Sequence, residues 1–297
     1  MGNSIHPLPL TLALSGGGAK CAAQAGVLAV LEDAHLPVGA LAGLSGGGLV
    51  ALLYAAGLSP PAIRDYIANT SLLEVWELDP TRRALFGEAK IRARLRQAVG
   101  GKTFADLRIP TTVIAVDMNT NREIRLNSGL VEDAMLATMA IPGLFPPVSR
   151  DGMTLADGGT LNQLPVDVAR ELGPRVVAVD VLYHYDPEEP NHIFEARGPM
   201  RYATEIGRRL GMTAMVEAAY HTVRLMGNRM SAYNLELHPP DVLLRPAVGK
   251  VGLFATDLAE TAYEMGEAAA REALPQLEAL ARPPAFWRRV FPARLPR

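Results

Sequence analysis

No charged residue occurs between position 36 and position 63, and the middle of that stretch reads Gly43-Leu44-Ser45-Gly46-Gly47-Gly48. A run of this length is enough to cross a bilayer as one helix. The glycine cluster at its centre breaks helix continuity, however, and a buried strand, a tight turn and a buried helix account for the same lack of charge. The run is therefore read as core, with a strand over 38–44 and a helix over 47–56 that stops at Gly57 and the Pro60-Pro61 pair. The same form precedes it: an apolar run over 10–14 ends at Ser15-Gly16-Gly17-Gly18, and helical spacing follows over 19–33.

Two strand-turn-helix units in succession predict an α/β chain with a mostly parallel sheet. Further strands are expected at 111–116, 123–126, 153–156, 176–181 and 242–244, and helices at 130–140, 165–172, 200–229 and 256–281. Residues 63–101, rich in arginine and apolar side chains, are the most weakly patterned and are assigned a cap or lid. The fold class predicted is a three-layer α/β/α sandwich around a mostly parallel central sheet. It is assigned to a single domain over 8–281, with a tail at 282–297.

Composition narrows the function classes. A hydrophobic share of 49% against 20% charged residues supplies a large core and excludes a disordered chain. Lys+Arg 29 against Asp+Glu 31 leaves a formal charge of -2, which provides no basic field of the kind that nucleic-acid binding uses. The single cysteine, Cys21, makes neither an internal disulfide nor a cysteine zinc cluster and fits a reducing, cytoplasmic setting. Residues 1–14 carry no recognisable targeting pattern.

Gly43-Leu44-Ser45-Gly46-Gly47 fits the G-x-S-x-G elbow, in which small residues flank a serine forced into a strained turn so that its oxygen projects from a strand end. An apolar strand before it and an apolar helix after it are the context that the motif requires, and Ser45 is the candidate nucleophile. Gly16, Gly17 and Gly18 also lie between a strand and a helix, where backbone amides can converge on an anion. No G-K-[ST] follows, and Cys21 stands where a dinucleotide fingerprint needs its third glycine. An oxyanion hole is the better use of this loop, each donor being worth on the order of 3 kcal/mol.

A serine nucleophile needs a base. The histidines, His6, His35, His184, His192, His221 and His238, lie in no catalytic or metal-binding motif. Asp157, in Ala156-Asp157-Gly158-Gly159, ends a predicted strand at glycines that permit close approach; it reads either as a base for Ser45 or as a plain Asp-Gly turn.

Gly16-Gly17-Gly18-Ala19-Lys20, Gly43-Leu44-Ser45-Gly46-Gly47, Ile141-Pro142-Gly143-Leu144-Phe145-Pro146-Pro147 and Asp157-Gly158-Gly159, in this order, resemble the patatin-like phospholipases, particularly their compact bacterial members. Asn162 and Pro165 also match the family's pattern, and the resemblance covers roughly residues 10–182. It implies a lipid acyl-ester hydrolase of phospholipase A or lysophospholipase type with a Ser45-Asp157 dyad, no histidine, no cofactor and no metal. The amides of Gly16, Gly17 and Gly18 would form the oxyanion hole. Where the family usually has Arg-Gly this chain has Lys20-Cys21, where histidine is common it has Gln24, and where alanine is usual it has Gly46. Cys21 is read as a buried packing residue.

Two other readings compete. An α/β-hydrolase triad would draw on Ser45, Asp157 and His184 or a later histidine, but only one complete strand-helix unit precedes the elbow, fewer than that fold usually has. A silent lipid- or partner-binding module would use the same pocket without chemistry. The tail, with Phe286, Trp287 and Phe291 among arginines, suggests peripheral contact with an anionic membrane surface, while its prolines oppose a long helix.

Overall fold

A computed structural model of the chain describes residues 6–70, 77, 84, 86–182 and 214–283. Its strands are β1 (Leu10–Leu14), β2 (Val38–Leu44), β3 (Thr111–Asp117), β4 (Arg122–Leu126), β5 (Val148–Arg150), β6 (Met153–Asp157), β7 (Val176–Val179) and β8 (Val242–Leu244). In the order β8-β7-β1-β2-β3 neighbours run parallel, whereas β4 and β6 pair antiparallel with β3, and β5 with β6.

The register along β3 decides where the chemistry can sit. Val113 and Ile114 pair with Gly43 and Leu44 of β2 and also with Leu126 and Arg125 of β4. Ala115, Val116 and Asp117 pair with β4 and also with Asp157, Ala156 and Leu155 of β6. A strand has only two hydrogen-bonding edges, so β2 and β6 must share one edge of β3, lying end to end. Leu44 finishes opposite Ile114 and Asp157 opposite Ala115, the next position. The residue that follows β2, Ser45, is thereby brought against the residue that closes β6.

The helices are α1 (Ala22–Asp33), α2 (Ser45–Ala56), α3 (Pro60–Ala68), α4 (Ala89–Val99), α5 (Val131–Thr138), α6 (Val166–Leu172), α7 (Ala214–Leu237), α8 (Ala259–Glu272) and α9 (Leu274–Ala281). They cover both faces of the sheet because its strands are apolar on both. Successive side chains of a strand point to opposite faces. Leu10, Leu12 and Leu14 of β1 therefore join Leu28, Leu53 and Ala262 in one core, while Ala13 joins Ala42, Ala178 and Val166 in the other. The alanines of the second face leave room for α6. This is the three-layer α/β sandwich that the sequence predicts.

Several boundaries differ. The helix expected over 256–281 is broken: a short 3-10 turn at Thr256–Leu258 leads into α8, and α9 starts afresh at Leu274. Pro275 lacks an N–H and its ring opposes the preceding turn, so it is tolerated in a first turn and not in a helix interior. The helix expected to end at Arg229 continues to Leu237, and residues 200–213 lie outside the described set. Strand β5, three residues long, was not expected. Among the described residues no helix is long and apolar enough to cross a membrane.

Candidate active site

Ser45 occupies the turn from β2 into α2 with φ of 51°. A residue with a Cβ adopts this left-handed conformation only where its surroundings over-determine it. Here the Ser45 N–H donates to Thr138 Oγ1 at 2.8 Å, and that hydroxyl donates to the Ile114 carbonyl at 2.6 Å. Thr138 is fully buried at the end of α5, so the elbow is tied to β3 through one side chain.

The Ser45 hydroxyl lies beside the Asp157 carboxylate, close enough to favour its charged form, and both line one hollow. The Gly159 N–H donates to Asp157 Oδ1 at 2.8 Å, and the Asp157 N–H donates to the Ala140 carbonyl at 2.9 Å. Burial pushes the Asp157 carboxyl up to about 6, against the opposing effect of the nearby Ser45 hydroxyl and of the bond from Gly159, which favour the charged form.

The glycine loop is anchored from behind. Gln24, fully buried on α1, donates to the Ser15 carbonyl at 2.8 Å, and Ser15 Oγ accepts from the Val181 N–H at 3.0 Å. The structure separates the three glycines that the sequence groups together. The Gly16 N–H is already bound to the Gln163 carbonyl at 3.2 Å, whereas the Gly17 and Gly18 amides find no acceptor among the described residues. At Gly18, with φ of 56°, an added Cβ would lie 2.3 Å from the Leu253 carbonyl oxygen, so only glycine fits.

Two hollows meet at Ser45. The larger, a cleft of about 1090 Å³ open to solvent, is lined mostly by apolar side chains from α2 to α5 and the following loop, among them Leu49, Ile91, Leu136 and Phe145. Part of the segment 63–101 forms its wall: Tyr66 and Ile67 come from α3, and Ile91, Arg94 and Leu95 from α4. Arg94 is held there by Thr70, to whose Oγ1 its Nε donates at 2.9 Å. The smaller hollow, about 430 Å³, lies on the other side, with Gly16, Gly17, Asp157, Gln163 and Arg224 in its lining. Ile141 borders both.

No histidine among the described residues lines either hollow. His6, His35 and His238 are exposed and His221 is half-buried on α7, while His184, His192 and the tail aromatics lie outside the described residues. Three contributors gave no signal in the sequence. One is Thr138. The others are Gly227 and Asn234 on α7, which hold the loop after Asp157: a Cβ at Gly227 would meet the Gly159 carbonyl at 2.5 Å, and Asn234 Nδ2 donates to the Leu164 carbonyl at 3.0 Å.

The family model for patatin-like phospholipases matches residues 12–170, a span that contains the glycine loop, the elbow and Asp157. The chain belongs to the patatin-like phospholipase family. It is 30% identical over 276 residues to an uncharacterized NTE family protein of Mycobacterium tuberculosis, covering 89% of this chain and 46% of that protein. It is 32% identical over 181 residues to patatin-like phospholipase domain-containing protein 6 of Homo sapiens, covering 58% of this chain and 13% of that protein. The chain thus spans about half the length, or less, of these relatives. In fold it is similar to VipD from Legionella pneumophila, with a TM-score of 0.55 at 13% identity over 92% of this chain and 67% of that one.

Cys21 and Gly46, two positions at which the sequence departs from the resemblance, meet under the elbow. Cys21 is fully buried, its thiol pushed far up by desolvation, and it packs under the elbow. A Cβ added at Gly46 would meet Cys21 Sγ at 2.7 Å. The larger residue at 21 and the smaller one at 46 share one space.

Proposed function

We propose that the chain hydrolyses acyl esters of lipids, phospholipids or lysophospholipids among them, through an acyl-serine intermediate, with Ser45 as nucleophile and Asp157 as base. The observation that carries this reading is the meeting of the strained Ser45 elbow, at the end of β2, with the buried carboxylate that closes β6, whose pKa is pushed up to about 6. A general base works best with a pKa near the operating pH, and this one is ionised at pH 7 while remaining basic enough to accept a proton.

In the forward step Asp157 takes the proton as Ser45 Oγ attacks the ester carbonyl. The oxyanion that develops is met by the amides of Gly17 and Gly18, the two of the loop with no acceptor among the described residues, and by the positive end of α2, which begins at Ser45. Collapse expels the alcohol, protonated by Asp157, and leaves the acyl group on Ser45. Asp157 then deprotonates a water that attacks the acyl-enzyme, and returns that proton to Ser45 Oγ as the C–Oγ bond breaks and the carboxylic acid leaves. The acyl chain occupies the apolar cleft, over which α3 and α4, with Tyr66, Ile67, Ile91 and Leu95 in the lining, act as a cap. The reaction belongs to a reducing compartment, at the surface of a membrane that supplies the lipid.

Hydrolysis of p-nitrophenyl esters, with fluorophosphonate labelling read by intact mass, tests this. Wild type should turn over and label, and Ser45→Ala should do neither, losing activity by about a thousandfold or more. A folded wild type that is inert and unlabelled sinks the proposal.

A further inference from the structure

We infer that Gln163 is a further catalytic residue: its side-chain oxygen accepts one hydrogen of the water that frees the acyl group from Ser45, while Asp157 takes the other. The inference rests on the acyl-transfer reading above and adds to it the group that orients the second substrate, water.

Gln163 is a buried polar residue whose backbone the fold uses and whose side chain it does not. Its carbonyl accepts from the Gly16 N–H at 3.2 Å, and Asn162 before it bonds to Glu123 and Asp167. The side chain is only 8% exposed, yet its amide has no hydrogen-bond partner among the described residues. A buried amide left unpaired costs free energy, so its presence calls for a reason outside the fold's own bonding. Gln163 lines the small hollow together with Ser45 and Asp157.

The amide is turned in a definite direction. A Cβ added at Gly159 would lie 2.5 Å from Gln163 Oε1 and 3.0 Å from Asp157 Oδ1. The two oxygens therefore flank one point and are no farther apart than a single water can bridge, about 5.5 Å. A Cβ at Gly16 would lie 3.4 Å from Ser45 Cβ and 3.5 Å from the same Gln163 oxygen, which sets that acceptor near the nucleophile. The nitrogen is on the far side, 3.5 Å from where a Cβ of Gly227 on α7 would be. Ile141, Pro142, Leu182 and Leu253 also line the hollow, and their side chains offer a water nothing to bond.

With the acyl chain in the large cleft, the alcohol departs through the small hollow, and water attacks from the position that the alcohol oxygen left, beside the same carboxyl group. Asp157 alone fixes one O–H of that water. An acceptor for the second O–H fixes its orientation and leaves a lone pair aimed at the ester carbon. As the new carbon–oxygen bond forms, one proton passes to Asp157 and the other stays on the attacking oxygen, held by Gln163 Oε1. The C–Oγ bond then breaks, Asp157 returns its proton to Ser45 Oγ, and the carboxylic acid leaves with the second hydrogen.

Methanol separates the two acceptors. Its one O–H serves Asp157 and leaves none for Gln163, so methanolysis of the acyl-enzyme does not need the amide. Wild type and Gln163→Met, which keeps the length of the side chain and removes the acceptor, are given p-nitrophenyl octanoate at one fixed methanol concentration, and octanoate and methyl octanoate are quantified. The ratio of methyl ester to acid is expected to rise about tenfold or more in Gln163→Met, the worth of one hydrogen bond in the transition state. Without methanol, kcat and KM should fall together, because slower deacylation leaves kcat/KM, which reports acylation, unchanged. Octanoyl-Ser45 should then accumulate, as read by intact mass. Gln163→Leu gives the same readings should the methionine variant not fold.

A product ratio unchanged from wild type, with both products slowed alike, makes Gln163 a structural residue and overturns the inference. Loss of kcat/KM without accumulated acyl-enzyme places the amide in acylation and likewise overturns it, and either result leaves the acyl-transfer reading standing. Failure of the underlying reading looks different: folded wild type is then inert on p-nitrophenyl octanoate and unlabelled by fluorophosphonate, and both proposals fall together.

Discussion

The two hollows that meet at Ser45 come from different parts of the chain and differ in kind. The apolar cleft is walled by helices packed around α2 and α5, and its lining is mostly side chain: Leu49, Ile91, Leu136, Phe145. The smaller hollow is framed by the glycine loop, the end of β6 and α7, with Ile141, Pro142, Leu182 and Leu253 beside Gly16, Gly17 and Gly159 in its lining. Side-chain walls change size with single substitutions, whereas backbone walls are fixed by close approach. Chain-length preference should therefore be easy to alter, and the chemistry hard to alter without loss.

The strongest test of this contrast is at Asp157. Burial raises its folded pKa from 3.8 to about 6, so between those values the folded protein keeps a proton that the unfolded chain has lost. The stability that this proton contributes is complete below about pH 4 and is lost as pH rises through 6. Asp157→Asn, neutral throughout, is expected to lower kcat/KM by about 10²–10⁴-fold and yet to raise unfolding free energy at pH 7 by about 1–3 kcal/mol. The gain should vanish by pH 4. Wild-type kcat/KM should itself fall about tenfold per unit below pH 6. Urea titrations of both proteins at pH 4 and 7 measure the first effect and a pH-rate profile the second. An asparagine variant no more stable than wild type at pH 7 would show that desolvation is not what tunes this carboxylate.

A smaller effect is expected on the other side. Leu49 lies one turn after Ser45 on α2 and faces the cleft. Leu49→Trp should block the cleft close to the nucleophile, cutting kcat/KM for long acyl esters by about tenfold or more relative to butyrate, each excluded methylene being worth about 1 kcal/mol or more. A chain-length series of p-nitrophenyl esters measures it. An unchanged series would mean that the acyl chain lies elsewhere and that the assignment of the two hollows is reversed.

The same contrast governs how much of the site was legible in the sequence. The β1-loop-α1 and β2-elbow-α2 units, with Ser45 and the glycines, could be read because they are local: apolar runs, glycine punctuation and helical spacing within a few tens of residues. Asp157 was legible as a strand end that read either as a base or as a plain turn, and only a resemblance chose between the two, since the head-to-head meeting of β2 and β6 depends on pairings along β3. Thr138 reaches the Ser45 amide from 93 positions away, and Arg224 reaches the small hollow on a helix whose pattern shows only periodicity. Nothing in local spacing marks such residues. The glycine loop shows a finer limit: three identical residues in a row gave no hint that Gly16 is held by Gln163 while its neighbours are not.

The smallest predicted effect concerns the rigid seam between the hollows. Gly46 and Cys21 lie back to back under the elbow, and a methyl at 46 would meet Cys21 Sγ at 2.7 Å and the Gly18 backbone at 3.0 Å. Gly46→Ala alone should destabilise the fold by about 1–3 kcal/mol through overpacking. Made together with Cys21→Gly, which removes the sulfur and leaves the Gly18 contact, it should cost less than the sum of the two single changes, with a coupling of about 1 kcal/mol. Chemical denaturation of the four proteins in the cycle measures it. Strict additivity would mean that the Gly18 backbone, not Cys21, sets the size limit at 46, and that the glycine loop is held more rigidly than the sulfur contact requires.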